Sequence, residues 1–159
     1  MDDITRETID YIAVCRLQSA YADAVTRRAW SELDELFVPS ATITVDTVTS
    51  EPIEIVGPTA LGEFISGAVE RFEFFELVIL NTRVNLRHNG DDNAARARLF
   101  TCELRQDHSN GRWTNAFGVY HDEYARADHG WQFARRRYQS LARTGRAEIF
   151  PFPKRAGFD

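Results

Sequence analysis

The chain has 159 residues, 43% hydrophobic, 12% aromatic and 27% charged, which fits one soluble domain with a single sizeable core and excludes disordered or fibrous classes. Its formal charge of −5 argues against a nucleic-acid surface, which needs a basic footprint. Basic residues gather only near the C-terminus, and there strand alternation would send Arg135, Arg136 and Arg137 to opposite faces. Cys15 and Cys102 lie far apart without metal-ligand spacing, as expected of a reduced cytoplasmic protein with small buried thiols. Neither an apolar leader nor a run of about 18 apolar residues is present, so secretion and membrane spanning find no support. Eleven phenylalanines against one methionine imply a ring-filled core or an apolar pocket shaped by rigid side chains.

Taken in chain order, Ile12, Val14, Leu17, Tyr21, Ala24 and Val25 recur at helical spacing, predicting a first helix from Ile4 to Arg28. Trp30, Leu33, Leu36 and Phe37 predict a short second helix stopped by Pro39. "ATITVDTV" and "PIEIVG" are β-branched runs around a polar turn and read as a hairpin. Gly57-Pro58 opens a third helix running to about Phe72. Four long strand-like runs follow, "FELVILNTRVNLRH", "AARARLFTCELRQ", "WTNAFGVYHDEYARA" and "WQFARRRYQSLA", joined by "NGDDN", "DHSNG" and "DHG". That is an antiparallel meander, and helices segregated before it cover one face, giving a two-layer α+β fold. Residues 1–142 form the domain. Residues 143–159, with prolines at 151 and 153, read as an extension packing on the domain or on a neighbouring subunit.

The stretches "YADAVTRRAWSELDELFVPSATI", "IVGPTALGEFI", "LVILNTRVNL" and "GVYHDEYARADHGWQFARRRY" together resemble the SnoaL-like, NTF2-like family from about residue 5 to 142. The resemblance implies a cone: a strongly curved, mainly antiparallel sheet wrapped over the N-terminal helices, with one internal pocket. The family includes ketosteroid isomerases, polyketide cyclases, scytalone dehydratase, a dehydrochlorinase, epoxide hydrolases and dioxygenase small subunits, and the fold does not choose among them. In the dehydratase and dehydrochlorinase branches an Asp–His pair moves the proton. The aspartate's place here is Thr26, and the first long strand, "FFELVILN", holds no histidine, so both halves of that dyad are missing.

Other polar groups remain. By resemblance to the isomerases, Tyr21 matches a cavity tyrosine, and the base position counts to Val45, one residue short of Asp46. A one-residue step reverses the face of a strand, so Asp46 serves as base only if a bulge intervenes. Along the third long strand Gly118, Tyr120, Asp122 and Tyr124 share one face, and Phe117, Val119, His121 and Glu123 the other. Tyr120 falls where relatives place an oxyanion donor, Gly118 beside it leaves room for a ligand, and His121 reads as an interface or surface histidine. Arg136 matches a pocket arginine that stabilises a departing anion; if buried it needs a carboxylate, with Asp122 or Asp23 as candidates. Asp23 is read more simply as solvated or paired with Arg27, four residues on.

The expected catalytic set is Tyr21, Asp46, Tyr120 and Arg136, with Val25, Val45, Gly118 and Asp122 binding ligand and neither metal nor cofactor. The expected partner is a small aromatic, polyketide or steroid-like molecule, turned over by isomerisation, dehydration or cyclisation, in a homodimer or homotrimer without nucleic acid or membrane. The alternative is a non-catalytic binding or structural subunit of the dioxygenase small-subunit kind.

Overall fold

The computed structural model describes residues 1–144. The long first helix, α1 (Asp3–Arg27), starts where the Asp2 side chain accepts the Thr5 N–H at 2.7 Å. It ends at Arg28, which takes a left-handed conformation at φ 58° and donates through its side chain to the carbonyls of Val69 and Phe72. Its buried positions, among them Asp10, Val14, Leu17, Gln18, Tyr21 and Val25, form the stripe expected of a helix laid on a sheet.

The expected second helix is instead a 3₁₀ turn (Trp30–Glu32) and one short α-turn, α2 (Leu33–Leu36). Strand β1 (Phe37–Asp46) starts earlier than expected and runs through Pro39. Between Phe37 and Thr42 its pairing with the neighbouring strand is irregular, so a residue lacking an N–H is tolerated there. Strand β2 (Ile53–Val56) pairs back on β1 as the expected hairpin, with Ile43 opposite Ile55. Gly57, at φ 86°, then donates to the Ala41 carbonyl, and a Cβ there would lie 3.2 Å from the Pro39 oxygen. Pro58 opens α3 (Pro58–Val69), which stops short of Phe72.

Phe72 instead begins β3 (Phe72–Leu86), followed by β4 (Ala94–Asp107), β5 (Trp113–Ala127) and β6 (Gly130–Arg143). These four form the antiparallel meander, and the six-stranded sheet runs β2-β1-β6-β5-β4-β3. β1 and β6 pair in parallel, making the sheet mixed. Register breaks in β3–β4 and β5–β6 bend it, as bulges do, so that it curves around α1. The core between the layers includes Val14, Tyr21, Val25, Leu33, Phe37 and Phe133. Cys102 is buried and Cys15 half-buried, both as free thiols. The predicted extension lies outside the described residues from 145 onward. Among the described residues no helix is long and apolar enough to cross a membrane.

Asp10 ties α1 to the last hairpin. Its carboxylate accepts from Trp131 Nε1 at 3.1 Å and from Arg126, whose guanidinium lies 4.5 Å over the Trp131 ring. Burial acts to raise the Asp10 pKa, but these hydrogen bonds outweigh it and the net shift is downward. The stabilisation is therefore complete above the ordinary aspartate range and is lost as pH falls through the folded value. Asp10→Ala is expected to cost about 1–3 kcal/mol at neutral pH, by leaving the Trp131 donor without its acceptor, and less under acid, as read by denaturant melts at the two pH values.

Candidate functional site

Simple alternation along β6 puts Phe133 and Arg136 on opposite faces, yet both are buried, at 0% and 1% exposure. The cause is a bulge: Tyr124 pairs with Phe133 and Glu123 with Arg135, leaving Ala134 as the extra residue. Arg135 and Arg137 remain exposed while Arg136 turns inward. Its Nε and Nη2 donate to the two Asp122 carboxylate oxygens, each at 2.7 Å, so Asp122 is the partner and Asp23 is not. Asp23 accepts from Arg27 on the surface of α1. Burial opposes the charge of Arg136, but Asp122 outweighs it and raises the pKa above the ordinary arginine value. Asp122 also accepts from the Tyr124 hydroxyl at 2.8 Å, and that hydroxyl accepts from Gln18 of α1 at 3.0 Å.

The Arg136 guanidinium is held between the Tyr21 and Tyr120 rings, 4.1 Å from each centroid, and lies 4.2 Å from Phe133. Burial raises the pKa of both tyrosines, keeping them neutral donors. Arg136 Nη1 is buried without a hydrogen-bond partner among the described residues.

This cluster borders a cavity of about 590 Å³. Tyr21, Val25, Val45, Tyr120 and Arg136 line it, together with the apolar side chains Ile43, Leu61, Phe64 and Phe75. At one end Arg71 and Arg112, both exposed, line it too, so the cavity opens to solvent there.

Three expected residues stand elsewhere. Asp46 follows Val45 without a bulge, Val45 pairing with Tyr138 and Asp46 with Gln139, so it faces away from the cavity. Its oxygens accept the Val48 N–H at 2.9 Å and lie 3.5 Å from Arg137. Gly118 does make room, but for the protein's own ring: a Cβ there would sit 2.2 Å from Tyr138 Cε2. Asp122 lies behind Arg136 and reaches the cavity only through it.

Sequence reasoning missed Glu103, Arg105 and Tyr138, all of which line the cavity. The period-two pattern of β4, in which Ala95, Ala97, Leu99 and Thr101 are buried, carried the signal for the first two. Burial pushes the Glu103 carboxyl up, against the nearby Arg105 and Arg143. It also pushes Tyr138 up to about 12, with the Glu103 charge adding to the effect. Thr26, at the place of the absent aspartate, accepts the Leu77 N–H at 3.1 Å and so fastens α1 to β3. Phe75 and Leu77 line the cavity from β3, and no histidine lines it among the described residues. Nor do the described residues hold a group of three or more His, Cys, Asp or Glu arranged for a metal ion.

Asp122→Ala strands a buried guanidinium and is expected to destabilise the fold by about 3–5 kcal/mol, while Asp122→Leu combined with Arg136→Met regains most of that loss in chemical denaturation. Because the folded pKa of Glu103 lies above its unfolded value, the folded state binds that proton more tightly and stability falls as pH rises through this window. Glu103→Gln is thus expected to raise the melting temperature at about pH 8 and to leave it nearly unchanged at about pH 4.

Solved structures similar to this chain share its fold at low identity. A Novosphingobium aromaticivorans protein provisionally assigned as a scytalone dehydratase is 16% identical, with a TM-score of 0.79 over 95% of this chain and 98% of its own. The hexachlorocyclohexane dehydrochlorinase LinA-type3 of Novosphingobium barchaimii is 19% identical, with a TM-score of 0.78 over 95% of this chain and 99% of its own. An NTF2-like protein with a cystatin-like fold, also from N. aromaticivorans, is 20% identical, with a TM-score of 0.70 over 92% and 94% of the two chains. No curated protein matches the chain. The SnoaL-like domain model matches residues 6–137, and with that match, over the fold and cavity described above, the chain belongs to the SnoaL-like family.

Proposed function

We propose that the cavity binds a small hydrophobic molecule of aromatic, polyketide or steroid type and transforms it by cofactor-independent proton transfer. The observation that carries this reading is the unpartnered Nη1 of Arg136, fixed by Asp122 and held between two neutral tyrosines, beside the apolar side chains Ile43, Leu61, Phe64 and Phe75 of the cavity. A buried donor without a partner is costly, and a ligand oxygen relieves that cost. In isomerisation, dehydration or cyclisation, charge develops on a carbonyl or leaving oxygen, and preoriented donors stabilise it there. Arg136 and Tyr120 take that role, with Tyr21 supporting the guanidinium from the helix side.

The proton itself needs a base. With Thr26 occupied by a backbone hydrogen bond and Asp46 facing away, Glu103 is the carboxylate that lines the cavity among the described residues. Its raised pKa brings it toward the range in which a carboxylate works efficiently as a base. The structural likeness to a hexachlorocyclohexane dehydrochlorinase and to a protein provisionally assigned as a scytalone dehydratase supports this class of chemistry.

A non-catalytic role as a binding or structural subunit is the second reading, favoured by the absence of the Asp–His pair at Thr26 and on β3. Exchange of the α-protons of 2-tetralone in D₂O, followed by NMR, separates the two. The enzyme reading expects accelerated exchange that falls about 10²-fold in Tyr120→Phe. Binding of 2-tetralone without exchange selects the second reading, and exchange equal in wild type and Tyr120→Phe removes Tyr120 from the mechanism.

A further inference from the structure

We infer that the ligand is an amphipathic carboxylic acid whose carboxylate is held at the open end of the cavity by Arg105, with Arg71, Arg112 and Arg143 around it. The inference rests on the reading of this cavity as a ligand site and adds the chemical class of what enters it. Among the described residues, five arginines line the cavity against a single carboxylate, Glu103, in a chain whose net charge is −5. The charge of Arg136 is answered by Asp122 at the closed end, so the remaining four define the field at the opening. A cleft whose sign opposes that of the whole molecule concentrates anions at its mouth.

The topology brings these four together from separate elements. Arg105 lies near the end of β4 opposite Thr114, and Arg143 ends β6 opposite Ala116 of β5. Arg71 immediately precedes β3, and Arg112 precedes β5. Their acidic partners are few. Arg71, 70% exposed, lies 3.4 Å from Asp107, and Arg105 Nη1 lies 3.5 Å from Glu103. Arg143 donates to Ser140 Oγ at 3.3 Å, and neither Arg143 nor Arg112 forms an ion pair among the described residues.

Arg105 is the anchor. Its side chain is only 17% exposed, it lies 5.1 Å over the Phe72 ring, and its buried Nε has no hydrogen-bond partner among the described residues. Nε and one Nη of a guanidinium present two parallel N–H groups, matching the two oxygens of a planar carboxylate. Glu103 beside it disfavours a doubly charged group such as a phosphate monoester, since a like charge at close range is repelled. One molecule then spans the site: its acid at Arg105, its apolar body against Phe64, Phe72 and Phe75, and a carbonyl toward Arg136 Nη1.

The test uses the full chain and three probes of one shape, anthraquinone-2-carboxylate, its uncharged carboxamide and anthraquinone-2-sulfonate, titrated by calorimetry at low and high salt. The carboxylate is expected to bind at least about tenfold more tightly than the carboxamide, with the advantage shrinking in salt. Arg105→Gln removes that advantage and leaves the carboxamide unchanged, Arg143→Gln reduces it, and Glu103→Gln increases it by removing a competing negative charge. Equal affinity for carboxylate and carboxamide, or equal loss of both in Arg105→Gln and Arg143→Gln, overturns the inference while leaving the cavity a ligand site. Tighter binding of the sulfonate overturns the assignment to a carboxylate. If none of the three binds, the ligand-cavity reading falls and this inference with it.

Discussion

Everything at the closed end of the cone hangs on one buried ion pair. Moving a guanidinium and a carboxylate out of water costs several kcal/mol per ion, and the attraction between them repays this only when the geometry is good and the remaining polar atoms are satisfied. Asp122 meets that condition: both its oxygens serve Arg136, and one also takes the Tyr124 hydroxyl, which is held in turn by Gln18. Arg136 does not fully meet it, because Nη1 is left over. The pair therefore fixes α1, β5 and β6 against one another, positions two tyrosine rings, and leaves a single unsatisfied donor. Structural order and chemical potential arise from the same contact.

Much of the fold could be read from the chain because its signals are local. The glycine-containing turns punctuate strands of alternating polarity, and β5 runs over the residues its pattern marks, Trp113–Ala127. The helical stripe of α1 is equally plain. What escaped depends on long-range pairing. The bulge at Ala134 follows from the register between β5 and β6, and without it no alternation rule puts Phe133 and Arg136 on one face. Pro39 reads as a stop signal by its chemistry, yet it sits in a strand because β1 is not regularly paired there.

The lining of the cavity was legible in part. Tyr21, Tyr120 and Arg136 were visible because they combine polar chemistry with apolar neighbours at regular spacing. Gly118 was expected to leave room for a ligand, but a sequence cannot say whose atoms take the space, and here they are Tyr138's. Glu103 and Arg105 were passed over, although the alternation of β4 sets them on the same face as the buried Leu99 and Thr101. Only the curvature of the sheet turns the inward face of β4 into a cavity wall, so their burial is a property of the assembled fold. Thr26 shows the reverse case, in which the absence of an aspartate was informative and the hydroxyl found a structural use at the Leu77 N–H.

The parallel pairing of β1 with β6 joins Thr42 to Arg135 and Asp46 to Gln139, each pair 93 residues apart in sequence. Pairings this distant in sequence are slow to form, because loop closure must be accomplished before the contact rewards it. During synthesis β1 leaves the ribosome with only the short β2 to pair with, and its other edge stays open until β6 arrives. Arg136 lies on β6. The floor of the cavity is thus laid down only after β1–β5, and a chain cut short before β6 has neither a continuous sheet nor a floor to its cavity.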